Sequence, residues 1–261
     1  MKCFVLTKRK TILALSVAVC VAAGIVFGIH GAAANAAATK TRLVPIYNVK
    51  TDQKKISISF DAAWGNEQTQ NLIDILGKYS VKTTFFVVGS WVEKYPEFVK
   101  ALADAGHEVC NHSDSHPHMP QLSREKIASE IQNCNQKIKA ITGKEPTLFR
   151  APYGDYNNTL IETVKGLNMH EIQWNVDSLD WKDPTPQQIY ERVVGKVQPG
   201  SIVLLHNGAK NTPAALPSIL ETLQKEGYEI VPISQLIYNG TYKIDNNGTQ
   251  IPTDQGTSSG G

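Results

Sequence analysis

Strong charge of either sign is missing from this sequence, and so is any cysteine framework. Its 261 residues hold 26 Lys or Arg against 24 Asp or Glu, a formal net charge of +2. Lys2, Lys8, Arg9 and Lys10 are the only charges before Lys40, so the rest of the chain is slightly acidic. Such a body has no electrostatic footprint for nucleic acid. The cysteines are Cys3, Cys20, Cys110 and Cys134, with no Cys-x-x-Cys, which excludes thiolate zinc sites and dithiol redox motifs. For Cys110 and Cys134, a disulfide and two buried thiols fit equally. Gly (19) and Pro (13) are too few for a low-complexity linker, and no internal repeat is present. At 41% hydrophobic and 19% charged, the composition is that of an ordinary globular chain.

Charge is also absent from residues 11–29, which are mostly Ile, Leu, Val and Ala and follow Lys8-Arg9-Lys10. A basic flank before an apolar run of that length reads as an export signal or a single membrane helix. Ala34-Asn35-Ala36 and Ala36-Ala37-Ala38 each fit a small-x-small cleavage site, so cleavage and retention as an anchor both stay open. Residues 1–40 are read as a signal peptide or membrane segment, with the body exported.

What the body does have is alternation. Residues 55–61 switch between apolar and polar at the strand period. Leu72, Ile75, Leu76 and Tyr79 fall at helical spacing. Residues 83–88 are β-rich, a helix through Phe98, Ala101, Leu102 and Ala105 stops at Gly106, and 107–110 form a short strand. Ile127, Ile131, Cys134, Ile138 and Ile141 make an apolar stripe that begins near Ser123 and ends at Gly143. A strand (147–149), a helix (159–165) and an extended stretch (169–176) follow. Thr185-Pro186-Gln187-Gln188 has capping-box spacing with Pro at the first helical position. Residues 201–205 read as a strand, 213–225 as a helix and 228–231 as the last strand. The polar residues 241–261 read as a disordered tail, which leaves 41–240 as the folded domain. Such alternation implies a parallel sheet with helical crossovers, either doubly wound or a (β/α) barrel. Both place the active site at the carboxyl ends of the strands.

Those strand ends carry Asp61, Asn111-His112, Arg150, Asp177, Asp180 and His206 on one rim. His112 and His116 are spaced so that two imidazoles can converge on one metal, with His118 nearby. Each feature alone has an ordinary structural explanation; solvated loop charges, however, would scatter over both rims.

Together the residues resemble the polysaccharide deacetylases with a NodB homology domain, carbohydrate esterase family 4, over about residues 55–236. Ser59-Phe60-Asp61, His112-Ser113-x-x-His116, Arg150-x-Pro152-Tyr153-Gly154, Asp177-Ser178-Leu179-Asp180-Trp181 and Leu204-Leu205-His206 match the five family motifs in order. Within the family the chain is most similar to the sporulation-associated, PdaB-like group. The resemblance implies a distorted (β/α) barrel and metal-dependent removal of N-acetyl groups from peptidoglycan or chitooligosaccharide. It also implies a body anchored outside the membrane or secreted into the wall. His112 and His116 would hold a divalent metal, zinc or cobalt. Asp61 would be the general base and His206 the general acid. Asp180 would orient His206, and Arg150 would tether Asp61. The Tyr153 backbone N–H would hold the oxyanion, and Trp181 and Leu204 would line the acetyl pocket.

One position departs from the pattern. The family has two adjacent aspartates in its first motif, the second a metal ligand; here the pair is Asp61-Ala62. Two imidazoles fall short of the three protein ligands of a catalytic zinc site. Asp61 could move onto the metal, Asp114, Asp155 or His118 could supply a third ligand, or the metal could be weakly bound. Two functions follow: an active N-deacetylase, favoured by Asp61, Arg150, Asp180 and His206, and a non-catalytic glycan-binding or structural wall protein, favoured by Ala62.

Overall fold

The strands expected from alternation form one parallel sheet in a computed structural model that describes residues 41–253. The export segment, residues 1–40, and the end of the tail, residues 254–261, lie outside the described residues. Residues from Leu43 onward form one unit. No helix among the described residues is long and apolar enough to cross a membrane.

After a short strand β1 (Asn48–Val49) comes the axial strand β2 (Lys55–Ala62). Helix α1 (Thr69–Lys78), β3 (Thr84–Val87), α2 (Gly89–Lys94), α3 (Pro96–Asp104) and β4 (Glu108–Asn111) follow. Next are α4 (Arg124–Thr142), β5 (Leu148–Phe149), α5 (Asn158–Gly166), β6 (His170–Glu171), β7 (Val176–Asp177) and α6 (Pro186–Val194). The series closes with β8 (Ile202–His206), α7 (Thr212–Lys225), β9 (Glu229–Ile230), α8 (Ile233–Leu236), β10 (Tyr242–Ile244) and β11 (Thr249–Pro252). The main sheet runs β6-β5-β4-β3-β2-β8-β7, with β9 paired to the first residues of β2. It is the curled, barrel-like sheet that the resemblance implies, and its order rules out the doubly wound alternative.

The helix signals act locally as expected. The Ser123 hydroxyl accepts the Lys126 N–H, Gly143 closes α4 in the left-handed conformation, and Thr185 and Gln188 form the reciprocal box that starts α6.

Alternate residues of β2 divide the interior. Ile56, Ile58 and Phe60 face outward and pack with Leu72, Leu76, Leu102, Leu216 and Leu220 between sheet and helices. Burying each such side chain stabilises by about 1.5–3 kcal/mol. Ser57, Ser59 and Asp61 face inward and pair in register with Ile202, Leu204 and His206 of β8. The inner face is apolar where Ile46, Phe86, Leu148, Ile172 and Ile202 meet, and turns polar toward the carboxyl ends. Cys110 and Cys134 are both free and buried. They lie on opposite faces of the sheet, so no disulfide joins them; burial pushes both thiols up.

The disordered tail expected from residue 241 is corrected for residues 242–252. Strands β10 and β11 are antiparallel, and β11 pairs in parallel with β1. The turn between them is tied by Asp245 Oδ1, which accepts the Asn247 and Thr249 N–H groups, both at 2.9 Å. Buried Gln250 exchanges two hydrogen bonds with the Tyr238 backbone. Polar composition hid this hairpin because what orders it is backbone pairing with a segment some 200 residues earlier.

The lead-in before β2 bridges two parts of the main sheet. Ile46 pairs with Ile172 beyond β6, and Val49 N–H donates to the Gly200 carbonyl at 2.9 Å. Gly200 has φ +81°, and a Cβ there would lie 1.7 Å from the Val49 carbonyl oxygen. Gly200→Ala is therefore expected to cost about 1–3 kcal/mol from backbone strain alone. Urea unfolding at neutral pH checks this; an unchanged midpoint would refute it.

Candidate active site

Asp61 is the next-to-last residue of β2, where Arg150 Nη1 donates to its Oδ1 at 2.7 Å. Arg150 is fully buried. Its Nη2 also donates to Ser59 Oγ (2.9 Å) and the Gln173 carbonyl (3.3 Å), and its guanidinium lies over the Phe86 ring at 4.1 Å. Burial pushes the Asp61 carboxyl up, but Arg150, His112 and His206 together outweigh it and hold the carboxyl below its ordinary value. Asp61 is thus an ionised, oriented carboxylate.

The His112–His116 segment is a strained loop after β4, not a helical turn. Ser113 and His116 both have positive φ, 68° and 61°. Five hydrogen bonds hold this conformation. Asn111 Oδ1 accepts the Ser113 N–H (2.7 Å), and Ser113 Oγ accepts the His116 N–H (2.9 Å). Glu130 on α4 accepts the N–H groups of Asp114 and Ser115 and the Ser115 hydroxyl. Among the described residues, Tyr153, Leu179 and Asp183 on the same rim also have positive φ. Strain that collects at one rim is typical of a functional site.

The two imidazoles converge, with ring centroids 5.0 Å apart. His112 Nδ1 is 2.8 Å from the Arg150 carbonyl, which only accepts, so Nδ1 carries the proton. Nε2, left as an electron-pair donor, sits 3.5 Å from Asp61 Oδ2. Burial lowers the pKa of both imidazoles, that of His116 to about 4, so both are neutral near pH 7.

On the other side of Asp61, His206 ends β8. Its Nδ1 is 2.7 Å from Asp180 Oδ1, and its backbone N–H donates to Asp180 Oδ2 at 2.8 Å. Thr212 Oγ1 donates to the same Oδ2 at 2.6 Å. Burial works against the imidazolium, but the Asp180 hydrogen bond and charge, with Asp61 beyond, raise the pKa above 6.5. Asp177 adds its charge to the same effect on His206, and its carboxylate accepts the Leu179 N–H and braces the turn that presents Asp180.

Leu204 is buried on the inner face beside Ser59. Tyr153 and Trp181 are 58% and 51% exposed on the rim. Tyr153 stacks on His118 with centroids 4.2 Å apart. Sequence reasoning gave no role to Ser59 or Thr212 and did not see Glu130, which sits on α4 with the spacing of a solvated helix face and carries no local signal.

A divalent metal would need a third protein donor beside His112 and His116, and none is in place. His118 is paired with Asp155 at 2.6 Å, and Asp114 with Lys137 at 2.5 Å. Ala62 is fully buried, packed in the outer core. Among the described residues no three His, Cys, Asp or Glu side chains are arranged around one ion position. The residues present do not make the three-ligand set of a catalytic zinc centre. Ala62→Asp would put a carboxylate into the outer core at the last residue of β2. It is expected to cost about 1–3 kcal/mol without metal. Thermal melts with and without zinc check this; a variant as stable as wild type in metal-free buffer would refute it.

The rim now bears comparison with known proteins. A family model described as polysaccharide deacetylase matches residues 48–172. The chain is 31% identical over 193 residues to the uncharacterized protein YlxY of Bacillus subtilis, covering 74% of this chain and 60% of that one. It is 35% identical over 196 residues to a peptidoglycan-N-acetylglucosamine deacetylase of Bacillus cereus, covering 73% and 92%. Among solved structures it is similar to a CE4 family pseudoenzyme of Bacillus anthracis, with a TM-score of 0.72 and 36% identity over 74% of this chain and 68% of that one. A mutant of that pseudoenzyme has restored enzymatic activity. A sequence match that covers 92% of the B. cereus deacetylase at 35% identity, together with the family model over residues 48–172, leaves one conclusion: this chain belongs to the polysaccharide deacetylase family.

Proposed function

We propose that the chain removes N-acetyl groups from the amino sugars of peptidoglycan, with Asp61 as proton acceptor and His206 as proton donor. The observation that carries this proposal is the opposed environment of two neighbours in register. Arg150 leads the charges that hold the Asp61 carboxyl below its ordinary value, while Asp180 raises the His206 imidazole above its own. A pure binder has no need of carboxylate and imidazolium held apart in this way.

Water attacks the acetyl carbonyl carbon as Asp61 takes its proton, and a C–O bond forms. The tetrahedral oxyanion is met by the backbone of the Pro152–Gly154 turn, where Tyr153 sits at φ 61°. The C–N bond then breaks as His206 gives its proton to the departing nitrogen. Acetate and a free amino sugar result. Leu204 and Trp181 flank the space left for the methyl group. Family members are metal-dependent; in this chain His112 and His116 alone do not complete the donor set of a catalytic zinc site.

The peptidoglycan substrate is supported by the deacetylase relatives. Export, retention at the outer face of the membrane and a link to spore formation rest on the basic-apolar N-terminal segment and the sporulation-associated resemblance. Ala62 supports a second reading, a glycan-binding wall protein that no longer catalyses. Acetate release from peptidoglycan and from N-acetylglucosamine oligomers, with and without zinc or cobalt, separates the two. Release that is lost in His206→Ala establishes the hydrolase. No release from either substrate at any metal concentration, with glycan binding retained, establishes the binder.

A further inference from the structure

The aromatic residue after the first motif has no role in the chemistry above, yet it is held as firmly as the residues that do. Among the described residues the large hydrophobic side chains that remain exposed are Trp64, Tyr153 and Trp181. All three sit on loops at the carboxyl ends of strands, around Asp61 and His206. Trp64 is 45% exposed, although its surroundings fix it closely. Its indole lies against the His206 ring, with centroids 5.2 Å apart and planes tilted by 34°. Behind it is Gly208, where a Cβ would come within 2.5 Å of the Trp64 carbonyl oxygen and 2.6 Å of the indole Nε1. The following carbonyl, that of Gly65, accepts from Trp91 Nε1 at 2.7 Å and from Asn207 Nδ2 at 3.4 Å. Gly65 itself is in the left-handed conformation, with φ +62°.

A ring left loose at a loop tip needs no such support. A rigid, half-exposed indole whose edge adjoins the proton donor presents a flat apolar surface next to the leaving nitrogen. The apolar face of a pyranose ring fits such a surface, and the polar edge of the indole tolerates the sugar hydroxyls.

We propose that Trp64 is a sugar-stacking platform for a residue of the glycan next to the one being deacetylated, and that it makes the site selective for a glycan strand over a single amino sugar. This rests on the peptidoglycan-deacetylase reading for the identity of the ligand. Trp64 is a specificity residue: it takes no proton and touches no reacting atom. Gly208 is its positioning residue, since any side chain there would displace the indole.

The test uses the full-length chain in detergent, with a chelator present so that binding is read without metal-supported turnover. Binding of N-acetylglucosamine and of chitopentaose is measured by titration calorimetry. Wild type is expected to bind the pentamer more tightly than the monomer. Trp64→Ala should weaken pentamer binding by a factor of about three to ten and leave monomer binding unchanged. Trp64→Phe should retain most of the preference, and Gly208→Ala should mimic Trp64→Ala. Pentamer binding unchanged in Trp64→Ala overturns the proposal. So does an equal loss on monomer and pentamer, or a wild type that binds no oligomer. Acetate release is measured separately on the same variants. Trp64-dependent binding without acetate release from wild type would sink the catalytic reading and leave the platform standing. Acetate release with the same KM for pentamer in wild type and Trp64→Ala would do the reverse.

Discussion

Arg150→Met is expected to destabilise the fold by about 3–5 kcal/mol near pH 7. Arg150 is wholly buried at the centre of the barrel, and its charge is balanced there by one carboxylate, Asp61. Met fills much of the volume but leaves that carboxylate without its partner. Burial is the largest influence on Asp61, and without Arg150 it pushes the carboxyl up instead of being outweighed. The sign of the pH dependence follows. In wild type the Asp61 value is depressed, so its contribution is present above the unfolded value, near 3.8, and is lost as pH falls through the folded one. In Arg150→Met the value is raised, so stability is lost as pH climbs from 3.8 toward it. The gap between the two proteins therefore widens from pH 4 to pH 7. Adding Asp61→Asn should recover part of the loss, because it removes the stranded charge. Urea unfolding of the four proteins at both pH values checks this. A loss under about 1 kcal/mol, or one independent of pH, would show that Phe86 and Trp174 packing, rather than charge, holds the centre.

How much of this was legible beforehand depended on whether the cause was local. The Ser123 and Thr185 caps, the Gly143 stop and the alternation of β2 act within a few residues, and each is where the pattern put it. The rim was legible because strand ends in parallel sheets share one edge, so Asp61, His112, Arg150 and His206 had to meet once the strands were placed. The hairpin of β10 and β11 was not, since Tyr242-Lys243-Ile244 is too short and mixed to stand out and its partner is β1. The direction of Ala62 was not legible either. Its neighbour Asp61 faces inward, so the pleat turns Ala62 outward into the core, away from the imidazoles. Glu130 was invisible for a third reason: its three acceptor contacts are to a loop whose left-handed conformation no residue type announces.

Asp61→Asn and His206→Ala are each expected to slow acetate release by about a hundred- to ten-thousand-fold, the range for loss of a positioned acid or base. Mutation of Asp180 gives the sharper result because it shifts the pH profile rather than erasing activity. Two influences oppose each other at His206: burial disfavours the imidazolium, and Asp180 favours it by hydrogen bond and by charge. The second wins, so the proton donor remains charged above pH 6.5 and the alkaline limb of the profile lies above that value. Asp180→Asn keeps the shape, and its amide can still satisfy Thr212, but the charge is gone. Burial is then opposed only by the weaker influences of Asp61 and Asp177, the His206 value falls, and the alkaline limb should move to lower pH by at least one unit, about 1.4 kcal/mol of lost imidazolium stabilisation. The acid limb, set by Asp61 beside an unchanged Arg150, should stay below pH 4. kcat/KM measured against pH, with the His206 ring followed by NMR in the same buffers, checks both limbs. If the alkaline limb stays put while the NMR titration moves, His206 is not the group that delivers the proton to the departing amine.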